Sequence, residues 1–367
     1  MDSLRKKFLN RVEYSNDSKP LDYLQRAFEE LSLGHSIEMR ATGPLRNSKT
    51  GTYLSFETGG TAGRKKILHS DVTIQASVDR FSSYFGSMPI HSLCCLPLYH
   101  VGGWMQVERS FRSNGSLCFM NYKELMNMES FVGIKDRFLS LVPAQLFELV
   151  RSKQACHNLR YCKAILVGGG ALSESLAEKA RDERLPIYNC YGMTETAGLI
   201  TVLDKKKYFS GIRGVGRVMD GVEMQLCELN RIKLKCNSLG YDEKGVPLGL
   251  NGWFKTFDVG QVNSNGLWKI LHRLDRLINS GGKKIMPEMI EKKILAFPEV
   301  ECCLVVGKSD PKWGERIVAY VTPQKINLEE LKKSLERKLT PFEMPKEWHK
   351  GDALPTNEMG KPQIGED

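Results

Sequence analysis

Apolar residues recur along the chain in two alternating patterns, as short unbroken runs and at helical spacing. Unbroken runs are typical of strands buried on both faces, and they occupy Leu93–Leu98, Phe138–Val142 and Ala164–Val167. Helical spacing follows Ser70, a residue that can cap a helix, at Ile74, Val78, Phe81 and Phe85. A second helix is predicted after Ser173. Strands that alternate with helices predict an α/β fold with a largely parallel sheet covered by helices.

The beginning of the chain has weaker patterns. A short amphipathic helix is predicted around Leu21–Leu31, and a stretch rich in glycine, proline and serine extends from Gly43 to Gly51. Tyr53–Phe56 is predicted as a strand that enters a glycine-rich turn, and Ile187–Asn189 as a later strand. The predicted sheet region therefore extends along the chain from about Tyr53 to Asn189.

The pattern changes after Asp258. A polar hairpin is predicted over Val262–Ile270, with Asn265 and Gly266 at its turn. Two helices and two strands follow, at Pro287–Phe297, Cys302–Val306, Ile317–Val321 and from Asn327 onward. We therefore predict a large domain over residues 1–272 and a small α+β domain over residues 273–367, with the boundary near Arg273.

Composition supports a globular chain of at least two domains, since 367 residues with 41% hydrophobic and 26% charged residues allow an ample core. No apolar run is long enough to span a membrane. A secretory signal requires an apolar segment after its charged residues, and none follows the charged N-terminus here. The ten cysteines include no Cys-x-x-Cys spacing, and the pairs Cys94–Cys95 and Cys302–Cys303 lie in apolar runs. This usage indicates a reducing compartment and predicts a cytoplasmic protein.

The net charge of +10 indicates anionic partners. Basic residues are dispersed in twos and threes, without a basic tail or a zinc-finger spacing, so we expect no nucleic-acid partner. Small anionic ligands such as ATP and coenzyme A fit the charge equally well. A homo-oligomer is compatible with the sequence, which does not specify one.

Three segments carry candidate chemistry. Thr58–Lys66 holds three glycines, two threonines and three basic residues in a loop after a strand, a composition suited to phosphate oxygens, although a plain flexible turn is an equal alternative. It is not a Walker A loop, because Gly-Lys-Ser/Thr is absent. Tyr191–Thr196 follows a strand and offers the Thr194 hydroxyl to phosphate and the Glu195 carboxylate to Mg²⁺; the alternative is a polar loop with a capping threonine. Leu354–Lys361 ends in a lysine, which in isolation is typically a solvated charge.

Together these segments resemble the adenylate-forming superfamily of acyl-CoA ligases, luciferases and peptide-synthetase adenylation domains. The resemblance extends from Tyr53 to Lys361 with the motifs in the family's order. It implies the fold predicted above, an activity that uses ATP and Mg²⁺ to form an acyl-adenylate, and coenzyme A as the acceptor. It further implies that His100 is the gating histidine, Lys361 the catalytic lysine, and Thr194 and Glu195 catalytic, with Glu195 the Mg²⁺ ligand.

The resemblance also implies the ligand-binding residues. The phosphate loop corresponds to Thr58, Gly59, Gly60, Thr61, Ala62, Gly63 and Lys66. The adenine and acyl pocket corresponds to Gly168, Gly169, Gly170, Asn189, Tyr191, Gly192 and Met193. Asp258 and Arg273 are implied to contact the ribose, Asp275 to act as the hinge, and Ser280, Gly281, Gly282 and Lys283 to meet coenzyme A.

Three features depart from the family pattern. Gly59 replaces a common serine and Lys65 a usual proline, so one phosphate-contacting hydroxyl is expected to be missing. Phe257 stands where glycine usually precedes the ribose aspartate. Fewer residues precede the phosphate loop than in most relatives, which predicts a truncated N-terminal part of the large domain.

Within the superfamily, Leu96–Gly103 and the later Arg109 resemble the family of o-succinylbenzoate–CoA ligases. O-succinylbenzoate keeps an aromatic carboxylate when its aliphatic carboxylate is activated, and a guanidinium suits that charge. The alternatives are that Arg109 is a solvated helix residue and His100 a core histidine. For the whole protein, the alternatives are a ligase for another aromatic or medium-chain acid, an enzyme with a carrier-protein acceptor, a non-catalytic nucleotide-binding relative and, least favoured, a nucleic-acid-binding module.

Overall fold

A computed structural model describes residues 2–14, 19–40, 44–50, 53–58, 65–86, 88–129, 133–352 and 354. The chain divides into two compact units. The first comprises Met1–Cys227, Lys233–Thr256 and Val262–Lys269, and the second comprises Glu228–Ile232, Phe257–Gln261 and Ile270–Asp367. The single domain boundary near Arg273 stays a prediction. Two short stretches that precede it, Glu228–Ile232 and Phe257–Gln261, also belong to the second unit.

The first unit through residue 218 begins with two helices separated by a short strand and contains four consecutive strands over residues 35–70, before a region in which strands and helices mostly alternate. In chain order the strands are β1 Val12–Tyr14, β2 His35–Met39, β3 Leu45–Thr50, β4 Tyr53–Thr58, β5 Lys65–Ser70, β6 Ser92–Cys94, β7 Leu117–Phe119, β8 Phe138–Leu141, β9 Ala164–Val167, β10 Ile187–Met193, β11 Gly198–Leu203 and β12 Arg217–Val218. The helices are α1 Ser3–Leu9, α2 Lys19–Ser32, α3 Asp71–Phe85, α4 Val101–Arg112, α5 Pro143–Leu149, α6 Lys153–Leu159, α7 Glu174–Asp182 and α8 Lys205–Phe209, with 3-10 helices at Tyr122–Met126 and Thr194–Thr196.

Two sheets organise these strands. The larger has the order β1–β7–β6–β8–β9–β10–β11–β12 and is parallel from β1 to β10, after which β11 and β12 pair antiparallel. The smaller has the order β3–β2–β4–β5, in which only β2 and β4 are parallel. The predicted α/β class with a mostly parallel sheet is therefore confirmed.

Hydrophobic residues of the larger sheet are buried on both faces, which accounts for the unbroken apolar runs. One core cluster contains Leu139, Ile165 and Ile187, and another contains Leu117 and Phe119 together with side chains of α2, α3 and α4. The predicted face of α3 is confirmed, since Ile74, Val78 and Phe81 are buried. Its ends are also set locally: the Ser70 hydroxyl caps the first turn, and Gly86 adopts φ 94° after the last.

The sequence predictions differ from the structure in three places. The stretch predicted as irregular near Gly43–Gly51 contains β3, which pairs with β2. The predicted strand Leu93–Leu98 ends at Cys94. Tyr191–Met193, predicted as a loop, continues β10 because these residues pair with β11. In each case a tertiary strand pairing outweighed the local composition.

The strands and helices after residue 218 include those of the second unit. The strands are β13 Val222–Leu226, β14 Arg231–Cys236, β15 Phe254–Val262, β16 Trp268–Arg273, β17 Ile278–Ser280, β18 Lys283–Ile285, β19 Cys302–Asp310, β20 Gly314–Thr322 and β21 Glu347–Lys350. The helices are α9 Pro287–Ile294 and α10 Leu328–Leu335, with 3-10 helices at Glu228–Asn230 and Leu274–Arg276. A sheet of order β18–β17–β20–β19, with β21 parallel to β20, packs on both α-helices through Ile290, Val305, Ile317 and Leu331. This is the predicted small α+β fold.

All ten cysteines lie in the described part of the chain, and no disulfide bond forms among them. Among the described residues, no helix has both the length and the apolar character needed to cross a bilayer.

Candidate active site

The carboxyl edge of the larger sheet gathers several predicted site residues of the first unit. Strands β6, β8, β9 and β10 are parallel neighbours, so their carboxyl ends lie along the same edge. His100 follows β6, the glycines from Gly168 follow β9, and Thr194 follows β10. In open α/β sheets, ligands bind in the crevice outside this edge. This edge is therefore the candidate active site of the first unit.

The predicted phosphate loop joins β4 to β5. The two strands pair antiparallel, with Thr58 opposite Lys65, and the Thr58 hydroxyl donates a hydrogen bond to the Lys65 carbonyl at 3.3 Å. The strand pair therefore fixes both ends of the loop. Five of the residues predicted to bind phosphate lie outside the described residues, namely Gly59, Gly60, Thr61, Ala62 and Gly63.

Lys66 is held by a buried acid. Its Nζ lies 2.9 Å from Oε2 of Glu38, which is 8% exposed and also binds Arg40. Burial opposes ionisation of Glu38, but the hydrogen bonds from Arg40 and Lys66 outweigh it and hold the pKa of Glu38 below its usual value. Glu38 therefore compensates the charge of Lys66 in this structure, and phosphate binding by Lys66 stays a prediction.

Gly168, Gly169 and Gly170 leave the end of β9 without side chains. The Gly168 amide donates to the Leu141 carbonyl at 3.2 Å, and a Cβ at Gly168 would meet the Cys190 carbonyl at 3.4 Å. Gly169 has φ 75°, a conformation that favours glycine. These contacts bring the glycine backbone close to both neighbouring strands.

Thr194 and Glu195 lie in a tight turn between β10 and β11. The Thr196 hydroxyl closes the turn, since it accepts from the Met193 amide at 3.2 Å and donates to the Gly198 carbonyl at 2.7 Å. Gly192 faces this carbonyl so closely that a Cβ would lie 2.2 Å from it. We refer to residues 194–198 as the TET turn. Its internal bonds hold Thr194 and Glu195 in one backbone geometry.

Buried His69 supports the TET turn from β5. Its Nε2 donates to the Thr194 carbonyl at 2.7 Å, and its Nδ1 lies 3.1 Å from the Thr73 hydroxyl. Burial lowers the pKa of His69 to about 4, although the bond to Thr194 acts in the opposite direction. The imidazole is therefore neutral at neutral pH, with its proton on Nε2.

Helix α3 supports the same turn with a line of buried polar side chains. The Ser77 hydroxyl donates to the Ala197 carbonyl at 2.7 Å, and Arg80 Nε donates to the Leu199 carbonyl at 3.0 Å. Arg80 also donates to the Ser238 hydroxyl, which in turn donates to the Thr196 carbonyl at 2.8 Å. The sequence analysis missed these supporting residues. Their signal is the four-then-three spacing of Thr73, Ser77 and Arg80 beside the apolar face of α3.

Other predicted residues of the first unit have defined surroundings. His100 precedes α4, and its ring lies 4.5 Å from that of Tyr99. The Asn189 side-chain amide donates to the Gly214 carbonyl at 2.8 Å. Tyr191 and Met193 pack against a small cluster that contains Ile200, Leu234 and Cys236. These contacts orient the residues, and their ligand-binding roles stay predictions.

Arg109 is buried in α4, so the alternative of a solvated helix residue is wrong. It is 5% exposed, and its guanidinium carbon lies 4.1 Å from the centre of the Phe81 ring. Its Nη2 lies beside the TET turn, 3.4 Å from the position that a Cβ on Gly198 would take. Burial, aided by the neighbouring charge of Arg80, lowers the pKa of Arg109 to about 9, although Cys190 acts in the opposite direction.

Among the described residues, no carboxylate pairs with the Arg109 guanidinium, and its buried Nε makes no hydrogen bond. A buried cation without a counter-ion is costly, and an anionic ligand would relieve that cost. Two buried arginines, Arg80 and Arg109, thus give this edge a positive field.

The second unit holds its own predicted site residues. Asp258 is 4% exposed and accepts from Arg273 Nη1 at 3.1 Å. Asp275 accepts from both Nε and Nη2 of the same arginine, at 2.9 and 2.7 Å. Phe257, the departure before Asp258, carries the guanidinium of Arg231 at 5.1 Å from its ring centre. Phe257 is thus accommodated beside an intact carboxylate–arginine network.

The segment predicted to meet coenzyme A is a hairpin turn between β17 and β18. Ser280 pairs with Lys283, and Gly281 and Gly282 have φ of 58° and 77°, which is the requirement of a type I′ turn. Lys283 is exposed, and its Nζ lies 3.5 Å from the centre of the Phe342 ring. Lys361 lies outside the described residues.

Sequence comparison places the chain in a family. The AMP-binding enzyme family matches residues 23–236, and the AMP-binding enzyme C-terminal domain matches residues 289–361. The first match alone covers more than half of the chain. The chain therefore belongs to the AMP-binding enzyme family.

Similar proteins include two 2-succinylbenzoate–CoA ligases. That of Lactococcus lactis is 31% identical over 276 residues, which cover 73% of this chain and 60% of the ligase. That of Bacillus velezensis is 29% identical over an alignment of 375 residues, which covers 96% of this chain and 74% of the relative. The chain thus spans about 60% of the length of the Lactococcus relative.

Solved structures show the same fold. A variant of Escherichia coli MenE with bound OSB-AMS is 27% identical, has a TM-score of 0.68, and is matched over 90% of this chain and 76% of that chain. The o-succinylbenzoate CoA synthetase of Bacillus subtilis in complex with its acyl-adenylate intermediate has a TM-score of 0.68 at 24% identity, over 84% of this chain and 67% of that one. This second likeness is one of fold.

Proposed function

We propose that this protein is an ATP-dependent acid–CoA ligase that converts o-succinylbenzoate to o-succinylbenzoyl-CoA through an acyl-adenylate, a step of menaquinone or phylloquinone synthesis. The observation that carries the proposal is the buried Arg109 beside the TET turn at the carboxyl edge of the larger sheet, with no carboxylate partner among the described residues. Such a site offers charge to an anionic acid next to a turn suited to nucleotide phosphate. The names of the relatives support the same reaction.

In the first half-reaction, a carboxylate oxygen of the acid attacks the α-phosphorus of ATP, and the bond to the bridging oxygen of pyrophosphate breaks. Like charges repel in this step, so cationic groups and amide donors must neutralise them. The loop of residues 59–64 would contact the phosphates through its amides, Thr194 would donate its hydroxyl, and Lys361 would place its ammonium near the reacting oxygens. Each such contact is expected to contribute about 2–4 kcal/mol to the barrier reduction.

Glu195 fits the role of Mg²⁺ ligand. Mg²⁺ is usually held by one or two carboxylates together with phosphate oxygens, so a single carboxylate on a fixed turn matches its requirement. No group of three metal-ligating side chains occurs in the described part of the chain, which is consistent with a site completed by nucleotide. When bound, Mg²⁺ would supply charge neutralisation to the phosphates.

Asp258 would accept hydrogen bonds from the ribose hydroxyls, and Arg273 would orient that carboxylate. The 3.1 Å contact between them supports this assignment, because it fixes the orientation of the buried Asp258 carboxylate. His100 would gate the acyl pocket, and Gly168–Gly170 would line it.

In the second half-reaction, the thiolate of coenzyme A attacks the acyl carbon and AMP leaves. We propose that residues 273–367 rotate about Asp275, which removes Lys361 and presents the Ser280–Lys283 turn to coenzyme A. The ten cysteines, which form no disulfide bond among the described residues, support a reducing, cytoplasmic location.

The test is an assay of AMP formation across a panel of acids, with and without coenzyme A. O-succinylbenzoate is expected to give the highest kcat/KM, and AMP release is expected to depend on coenzyme A. A preference for another aromatic or medium-chain acid would replace the substrate assignment alone. Activity only with a carrier protein would replace the acceptor, and the absence of AMP with every acid would overturn the ligase function.

Asp275→Pro is expected to separate the two half-reactions. The ring fixes φ near −65°, which is typical of the 3-10 helix that contains Asp275, so we expect the static fold to tolerate proline while rotation is restricted. Adenylation should stay within about twofold of the wild type, whereas thioester formation should fall about tenfold or more. Pyrophosphate release and thioester formation are measured separately on the full chain.

Asp275→Ala is the matched control, because it also removes the carboxylate bound to Arg273 but leaves φ unrestricted. Equal thioester rates in the proline and alanine variants would show that rotation about this residue is not required.

A further inference from the structure

His69 is a buried residue for which the proposed function has no direct use. It lies at the end of β5, the strand whose other end receives the loop of residues 59–64. It is 0% exposed, and its Nε2 donates to the Thr194 carbonyl 125 positions later in the chain. One side chain thus connects the strand that carries the predicted phosphate loop to the TET turn.

The surroundings of His69 leave it little freedom to move. The Thr73 hydroxyl holds Nδ1 from α3, and a Cβ on Gly240 would approach Cε1 of the imidazole to 2.8 Å. The Gly240 amide in turn donates to the Glu195 carbonyl at 2.9 Å. The carbonyls of Thr194 and Glu195 are therefore fixed by one junction, formed by His69 and Gly240.

This junction also includes the backbone of β5. Leu68 and Tyr241 exchange two amide-to-carbonyl hydrogen bonds, at 2.8 and 2.9 Å. The strand that follows the phosphate loop is thereby tied to the segment that holds Glu195. A displacement of His69 would change the separation between β5 and the TET turn, where Thr194 and Glu195 are expected to meet the nucleotide phosphates and Mg²⁺.

We propose that His69 is a positioning residue that sets the TET turn relative to β5, and so determines the affinity for ATP with Mg²⁺. This inference rests on the proposed function. Its chemistry requires only the neutral Nε2–H donor, since the bond to Thr194 involves no proton transfer. The acid is proposed to bind Arg109, which lies beside Gly198 at the other end of the TET turn from the Thr194 carbonyl, so its KM should be insensitive to His69.

The test compares His69→Gln, His69→Asn and His69→Ala in the full chain. In glutamine the side-chain NH₂ lies as many bonds from Cβ as Nε2 does in histidine, so it can still donate to the Thr194 carbonyl. In asparagine the side-chain NH₂ lies one bond closer to Cβ and cannot reach that carbonyl. We expect the alanine and asparagine variants to raise the KM and Kd for ATP with Mg²⁺ about ten- to a hundredfold, as for loss of a buried hydrogen bond. The glutamine variant should recover most of the affinity, and the KM for the acid should stay within about twofold.

Tyr208→Phe is the matched control for stability. It also removes one buried hydrogen bond to a backbone carbonyl, from the Tyr208 hydroxyl to Ala177, within the same unit. This control is expected to lower the melting temperature without changing either KM. Hydrogen exchange of the amides at residues 194–198 gives a readout that needs no activity, and it should rise only in the asparagine and alanine variants.

Unchanged ATP affinity and exchange in His69→Asn would overturn the inference, as would equal losses in the glutamine and asparagine variants. Failure of the ligase function is distinguishable, because it appears as absence of AMP in the wild type. The exchange comparison then still decides whether His69 positions the turn. If His69→Ala does not fold, the glutamine and asparagine pair carries the decision.

Discussion

Replacing Lys361 with alanine is expected to lower the rate of adenylation by about two to three powers of ten. The reason is electrostatic, because a carboxylate that attacks the α-phosphate of ATP needs a cation near the oxygens on which charge develops. Thioester formation from acyl-adenylate supplied ready-made should stay within about twofold, since the ammonium has left the site in that step. Pyrophosphate release measures the first half-reaction, and conversion of synthetic acyl-adenylate measures the second.

Lys333→Ala is a suitable control, because it removes one exposed lysine from α10 of the same unit. It should change neither rate. Equal losses of both half-reactions in Lys361→Ala would show that the lysine supports the fold or binds coenzyme A, and the catalytic assignment would be withdrawn.

The sequence predicted the fold best where one local pattern had one structural solution. The apolar face of α3, its Ser70 cap and the parallel strands that follow it are examples, because periodicity and burial there agree. It failed at β3, where Leu45–Thr50 contains mainly polar residues and forms a strand only through its pairing with β2. Pairing between distant segments leaves no local signal of that kind.

The same distinction applies to the candidate site. Glycine turns at strand ends predicted the segments at Gly168 and Thr194, and the structure brings both to one sheet edge. The supporting residues His69 and Arg80 were not predicted, because each acts on carbonyls more than a hundred positions away. Burial of Arg109 likewise depends on Phe81 and Gly198, which lie on other elements.

We expect Arg109 to decide the identity of the acid. If the aromatic carboxylate of o-succinylbenzoate binds this guanidinium, Arg109→Met should raise the KM for that acid about 30- to 1000-fold, equivalent to about 2–4 kcal/mol. Methionine retains much of the apolar volume beside Phe81 while it removes the charge. Arg109→Lys should recover only part of the affinity, because an ammonium cannot form the planar fork. Steady-state kinetics with the acid varied at saturating ATP and coenzyme A measure this effect.

A stability measurement separates binding from damage to the pocket. Because the charge of Arg109 is buried without a carboxylate partner among the described residues, its removal should leave the free energy of unfolding unchanged or raise it. A rise in KM without a loss of stability would mark a residue retained for its ligand. The partner group is identified with an analogue that lacks the ring carboxylate: it should bind the wild type poorly and lose little more in Arg109→Met. Arg109 is structural if Arg109→Met weakens the binding of o-succinylbenzoate and of the analogue equally, or if its free energy of unfolding falls as much as its affinity for the acid. The substrate assignment would then lose its main support.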